Sequence, residues 1–161
     1  MRRPIRIGFS FGLTSGIITT LGLMVGLHSS TDSKFVVIGG ILTIAIADAF
    51  AEAMGVHVAT ETENKIPKKE VWESTFCTFI FKFIFTTIFI IPVILFTLHQ
   101  AILISILFGF YLIIILSIAI ARERNVPPWK MVLEHVSISI IVIILAHYAG
   151  VLINATFGCS F

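Results

Sequence analysis

Charge is scarce in this chain. Only 12% of its 161 residues are Asp, Glu, Lys or Arg, against about 25% in ordinary soluble domains. So little charge cannot cover a water-exposed surface, which argues against a soluble globular enzyme, a disordered chain or a coiled coil. The formal net charge of +2 is too small to suggest a nucleic-acid partner. Cysteine is nearly absent: Cys77 and Cys159 make two, and no Cys pair has metal-site spacing. Enzyme signatures are missing as well. There is no His-Glu-x-x-His, no G-x-S-x-G and no phosphate loop, and a single intramembrane Asp is too few for an aspartic dyad. No internal repeat or low-complexity tract interrupts the chain.

What is present is hydrophobic: 57% of the residues are apolar or aromatic, and the mean hydropathy is +1.04. Five apolar stretches stand out, at Ile7–Leu27, Phe35–Ala59, Phe76–Leu98, Gln100–Ala121 and Leu133–Ala155. Each exceeds the roughly 18 residues a transmembrane helix needs. Between them remain only connectors, the longest being the polar stretch Thr60–Ser74. Backbone groups in hydrocarbon must bond one another, so helices or a closed barrel are the options. Runs such as Ile102–Leu107 and Tyr111–Ile115 are continuously apolar, not alternating, which rules out the barrel. The expectation is an all-α, polytopic membrane protein: one domain of five transmembrane helices in a lipid bilayer. Ile7–Leu27 is longer than a signal-peptide core and lacks a small-residue cleavage site, so it reads as a retained span.

Lys and Arg placement orients the bundle. Arg2, Arg3 and Arg6 precede the first span, and Lys34 alone lies in the first connector. Lys65, Lys68 and Lys69 fill the second connector, and none lies near His99. Arg122, Arg124 and Lys130 fill the fourth, and none follows Ala155. This alternation puts the N-terminus in the cytoplasm and the C-terminus outside or in a lumen. Cys77 and Cys159 then lie about a bilayer apart, too far for a disulfide. Lys82, about a turn into the third span, is expected to snorkel back to the cytoplasmic face.

Ionisable groups inside the spans carry the most information, because a charge at the bilayer centre costs about 2.5–3.5 kcal/mol on insertion scales. The second span holds Asp48 and Glu52 in Ile46-Ala47-Asp48-Ala49-Phe50-Ala51-Glu52-Ala53-Met54-Gly55. Their i, i+4 spacing stacks both carboxylates on one helical face. Two acids stacked in low dielectric repel, so one can hold a proton that a bound cation displaces. Hard oxygen ligands suit Fe²⁺, Mn²⁺, Mg²⁺ or Ca²⁺. The plainer reading is that each acid simply pairs with a polar neighbour. His57 lies on the opposite side of the helix from Asp48 and reads as a packing residue.

Gly8, Gly12 and Gly16, then Gly22 and Gly26, recur four positions apart within each group and form a stripe on the first span. Such stripes let helices approach closely, either inside one subunit or as a self-association seam lining a pathway. Thr14, Ser15 and Thr19 offer hydroxyls nearby. Glu61, Glu63, Glu70 and Glu73 in the second connector read as a solvated surface or as a cation antechamber. Glu134 is expected to cap the last span, and Glu123 to make a surface ion pair. Pro92 is expected to kink the third span. His147, Tyr148 and Asn154 lie in the outer half of the last span and read as an exit path or, for Tyr148, as an interfacial anchor. Met24 and Met54 are soft donors that more commonly serve packing.

Two segments carry a family resemblance. Gly8-Phe9-Ser10-Phe11-Gly12-Leu13-Thr14 resembles the G-F-S-D-G-L-T opening of the vacuolar iron transporter family. Ile46–Gly55 is similar to that family's A-D/G-A-I-S-M-G-L-G segment, and Pro92 fits its pattern. The resemblance implies a homodimer whose first helices meet along a pathway, exporting Fe²⁺ or Mn²⁺ from the cytosol in exchange for protons. The metal is then substrate, with no permanently bound cofactor. The membrane would be a cell membrane in a prokaryote and a vacuolar or other organelle membrane in a eukaryote. Under that reading the stacked acids Asp48 and Glu52 and the connector acids Glu61, Glu63, Glu70 and Glu73 are the metal-handling candidates. Gly8, Phe11, Gly12, Ser15, Gly16, Thr19 and Met54 line the pathway or seam. The chain departs from the family pattern at Phe11, where the family has Asp, and at Glu52, where it has Met. Its connector is also too short for the family's helical metal-binding domain, of which Glu70 and Glu73 would be a remnant. Phe11 as a plug motivates an alternative: a non-transporting scaffold that dimerises and docks a partner through its cytoplasmic loop.

Overall fold

A computed structural model describes residues 3–63 and 66–158. The expectations involving Arg2, Lys65 and Cys159 lie outside the described residues. The chain is helical: α1 (Arg3–Thr31), α2 (Lys34–Glu61), α3 (Lys68–Thr87), α4 (Ile90–Leu95), α5 (Leu98–Arg124) and α6 (Pro128–Phe157). Among the described residues, with α3 and α4 taken together, five helical segments are long and apolar enough to cross a membrane, as the apolar runs require. The chain is an integral, multi-pass membrane protein.

The helices run past the apolar stretches at both ends, because backbone hydrogen bonding continues into the polar interface, except that the third span ends at Leu95, short of Leu98. The second connector shrinks accordingly: α2 reaches Glu61 and α3 begins at Lys68, so Glu70 and Glu73 are helical. The joints follow local chemistry. Ser33 caps α2 by accepting from the Val36 N–H. Asn125 ends α5 in the left-handed region at φ 54°, and Pro128 then opens α6 at a position that needs no N–H donor. Pro92 breaks the third span as expected. It has no N–H to offer the Ile88 carbonyl, which instead accepts from Ile91 at 3.2 Å.

The radial pattern is inverted relative to a soluble protein. Leu107 is 72% and Leu145 64% exposed, whereas Thr20, Thr78, Lys82 and Ser117 are completely buried. Thr78 and Ser117 inside the bundle donate to the carbonyl one turn back, at Ser74 and Ile113, whereas Thr86 Oγ1 and Ser105 Oγ are buried without a hydrogen-bond partner. At the centre runs α1, packed against α2, α3, α5 and α6. Leu13, Ile17, Leu21 and Met24 on it meet Val37, Ile41, Phe89, Val93 and Ile113. Met24 is therefore a core residue.

The glycine stripe packs within the subunit. A Cβ on Gly12 would lie 2.8 Å from the Lys82 backbone nitrogen and 2.9 Å from the Thr78 carbonyl oxygen. One on Gly16 would touch the Lys82 carbonyl oxygen at 3.4 Å, and Gly8 faces Cys77 and Thr78. Gly22 and Gly26 face Val142 and Ala146 of α6. The stripe thus brings α1 against α3 in its first half and against α6 in its second.

Candidate functional site

Close approach of α1 and α3 decides what the acids of α2 meet. On α2 the buried residues are Val37, Ile41, Ala45, Ala49, Ala53, Val56 and Thr60. Asp48 and Glu52 each precede a buried alanine, so they sit at the margin of the packing face. Both reach one cation. The Lys82 ammonium lies 2.7 Å from Asp48 Oδ2 and 2.7 Å from Glu52 Oε1. It also donates to Ser15 Oγ at 2.7 Å and to Thr19 Oγ1 at 3.3 Å. Ser15 in turn donates to Glu52 Oε1.

This corrects the expectation that Lys82 snorkels to the interface. Its side chain is completely buried. It is the fifteenth residue of α3, which begins at Lys68, so it is well inside the bundle. Asp48 and Glu52 give the ammonium two charged partners inside the bundle. Two carboxylates against one ammonium leave a formal charge of −1 at the cluster. Asp48 is 32% exposed and Glu52 19%, so the cluster is not sealed. The other Glu52 oxygen, Oε2, is buried without a hydrogen-bond partner, an unusual state for a carboxylate.

Among the described residues, no three His, Cys, Asp or Glu side chains converge as a metal site would require. The connector glutamates are spread out. Glu63 pairs with Arg3 at 2.7 Å, and Glu61 lies 3.9 Å from His57. Glu70 lines a crevice with Arg3 and Ser74, and Glu73 lines another with Lys69 and Trp72. Ser15 and Thr19 join the cluster, while Gly8, Gly12 and Gly16 make room for it. Phe11 is 47% exposed, and Met54 is 52% exposed. Met54 is two residues beyond Glu52, about 200° around the helix.

Other polar side chains have structural partners. His57 Nδ1 meets Thr75 Oγ1 at 2.9 Å, and its ring abuts Trp72, in keeping with a packing role. Glu123 pairs with Arg6 at 2.6 Å, so the expected surface ion pair ties α5 to α1. Glu134 does not cap α6. That helix starts six residues earlier, at Pro128, with no acid in its first turn. His135 Nδ1 meets Ser117 Oγ at 2.8 Å and links α6 to α5. His147 and Asn154 tie α6 to Ser29 and Ser30 of α1, at 2.7 and 3.0 Å.

Sequence reasoning found the two acids and the hydroxyls but missed Lys82 as their partner. The signal was available: a lysine inside an apolar run, with two unneutralised acids elsewhere in the bundle.

Residues 9–73 match the VIT family, so the vacuolar iron transporter resemblance holds over α1, α2 and the head of α3. The match takes in Asp48, Glu52, Ser15 and Thr19, and Lys82 lies beyond it. No curated protein and no solved structure matches the chain.

Proposed function

We propose that this chain, with the VIT family sequence in its first two helices, is a membrane transporter that moves divalent metal cations out of the cytosol in exchange for protons. The observation that carries the reading is the Asp48–Glu52–Lys82 cluster inside the bundle. Charges in lipid are costly and are associated with ion pathways and proton relays. This one keeps a net negative charge, an open side at Asp48 and an unpartnered carboxylate oxygen on Glu52. A cation that reaches the cluster gains electrostatic energy there. Oxygen donors suit Fe²⁺ and Mn²⁺, and protonation of a carboxylate would release either ion.

The positive residues at the Arg3, Arg6 and Arg124 end support a cytoplasmic N-terminus. The connector glutamates at that end would concentrate cations. Two carboxylates are few for a hard cation, so we infer that the working unit is a homodimer in which a second copy adds donors.

The test is flux in proteoliposomes. Mn²⁺ or Fe²⁺ movement should require an opposing pH gradient and should acidify the compartment the metal leaves. Flux indifferent to the gradient would identify an uncoupled channel. Absence of flux under every gradient, with the protein folded, would return the chain to the scaffold reading.

A further inference from the structure

The Lys82 ammonium sits at the convergence of four side-chain oxygens. Three of its oxygen neighbours, from Asp48, Glu52 and Ser15, lie at 2.7 Å, and Thr19 Oγ1 lies at 3.3 Å. An ammonium has three donors, and three short acceptors satisfy them. These oxygens come from α1 and α2, whereas the cation comes from α3. Remove the ammonium and four oxygens remain facing one point, two of them formally charged. Glu52 Oε2, buried and unpartnered, is a fifth oxygen that the lysine leaves unused.

We propose that Lys82 is a tethered cation that occupies the seat of the transported ion and must withdraw before Asp48 and Glu52 can accept one. The inference rests on the transport reading of those two carboxylates and adds the residue that sets their selectivity. Exchanging the tethered single charge for a free monovalent ion gains no charge and loses the advantage of the tether. Exchanging it for a divalent ion brings the carboxylate pair to neutrality. Lys82 thereby biases the site toward divalent cations and keeps two facing acids compensated while no ion is bound. Gly12 and Gly16 serve the arrangement by letting the α3 backbone at Lys82 lie against α1.

The experiment is Mn²⁺ binding to the purified full chain, followed by the electron paramagnetic resonance signal of free Mn²⁺. Lys82→Met should bind Mn²⁺ more tightly than the unaltered protein by about tenfold or more, since a positive charge a few ångströms from the ion is removed. Glu52→Gln added to Lys82→Met should abolish the gain. Should Lys82→Met fail to fold, Lys82→Gln, which keeps N–H donors in place without the charge, takes the same test. Equal affinity in the variant and the unaltered protein would overturn the inference, as would a gain that survives Glu52→Gln. The transport reading fails separately. Tighter Mn²⁺ binding by Lys82→Met in a protein that shows no pH-driven flux would uphold the tethered cation and reject the antiporter. Flux lost on Glu52→Gln, with no gain in affinity on Lys82→Met, would do the reverse.

Discussion

Lys82→Met should be among the most destabilising single substitutions in the chain, and Glu52→Gln should partly reverse its effect. Removing one partner of a buried ion pair costs about 3–5 kcal/mol, because the remaining charge stays uncompensated. Here two acids remain, but Asp48 is 32% exposed, which places the estimate near the low end, at about 3 kcal/mol. For a chain of this size each kcal/mol is worth about 2–4 °C in Tm, so Lys82→Met in detergent should melt about 6–12 °C lower. Glu52→Gln alone keeps the Lys82–Asp48 pair and costs about 1 kcal/mol through one weakened charged hydrogen bond. The double variant should be no less stable than Lys82→Met, since removing one carboxylate removes the repulsion that the lost lysine exposed. The cycle thus carries a coupling of about 1 kcal/mol or more. Thermal melts of the four proteins in one detergent measure it. Strictly additive losses would refute the claim that these residues form one electrostatic unit.

Gly12→Val should destabilise by about 1–3 kcal/mol or more, through overpacking against the α3 backbone. Gly55→Ala, where a Cβ meets nothing within 4 Å, should change stability by no more than about 1 kcal/mol. Thermal melts distinguish the two, and equal effects would contradict the α1–α3 contact. Arg6→Ala breaks a pair whose side chains are 47% and 54% exposed, and should cost less than about 1 kcal/mol. Pro92→Ala should let a continuous helix form across residues 88–90, seen as slower amide exchange at Phe89 and Ile90 with little change elsewhere.

Much of the fold is legible from the apolar runs alone, because lipid leaves a long hydrophobic segment few conformations besides the helix. Pro92 is equally legible, since the missing N–H acts within its own turn. The two acids of α2 share a face for the same local reason. Lys82 differs: its partners Glu52 and Asp48 lie 30 and 34 positions away on α2, and only the packing of α3 against α2 brings them together. The spacing of Gly8, Gly12 and Gly16 announces a close approach but not its partner, which could have been a second copy and is α3. Glu134 shows the cost of reading a helix start from hydropathy, because α6 begins in the polar stretch at Pro128, ahead of the first apolar run.

The most direct measurement is an anomalous-difference map from crystals soaked in Mn²⁺. The account predicts a peak beside Asp48 and Glu52, at the position now held by the Lys82 ammonium, with the lysine side chain displaced. A peak elsewhere, with Lys82 still bridging the two carboxylates, would contradict it.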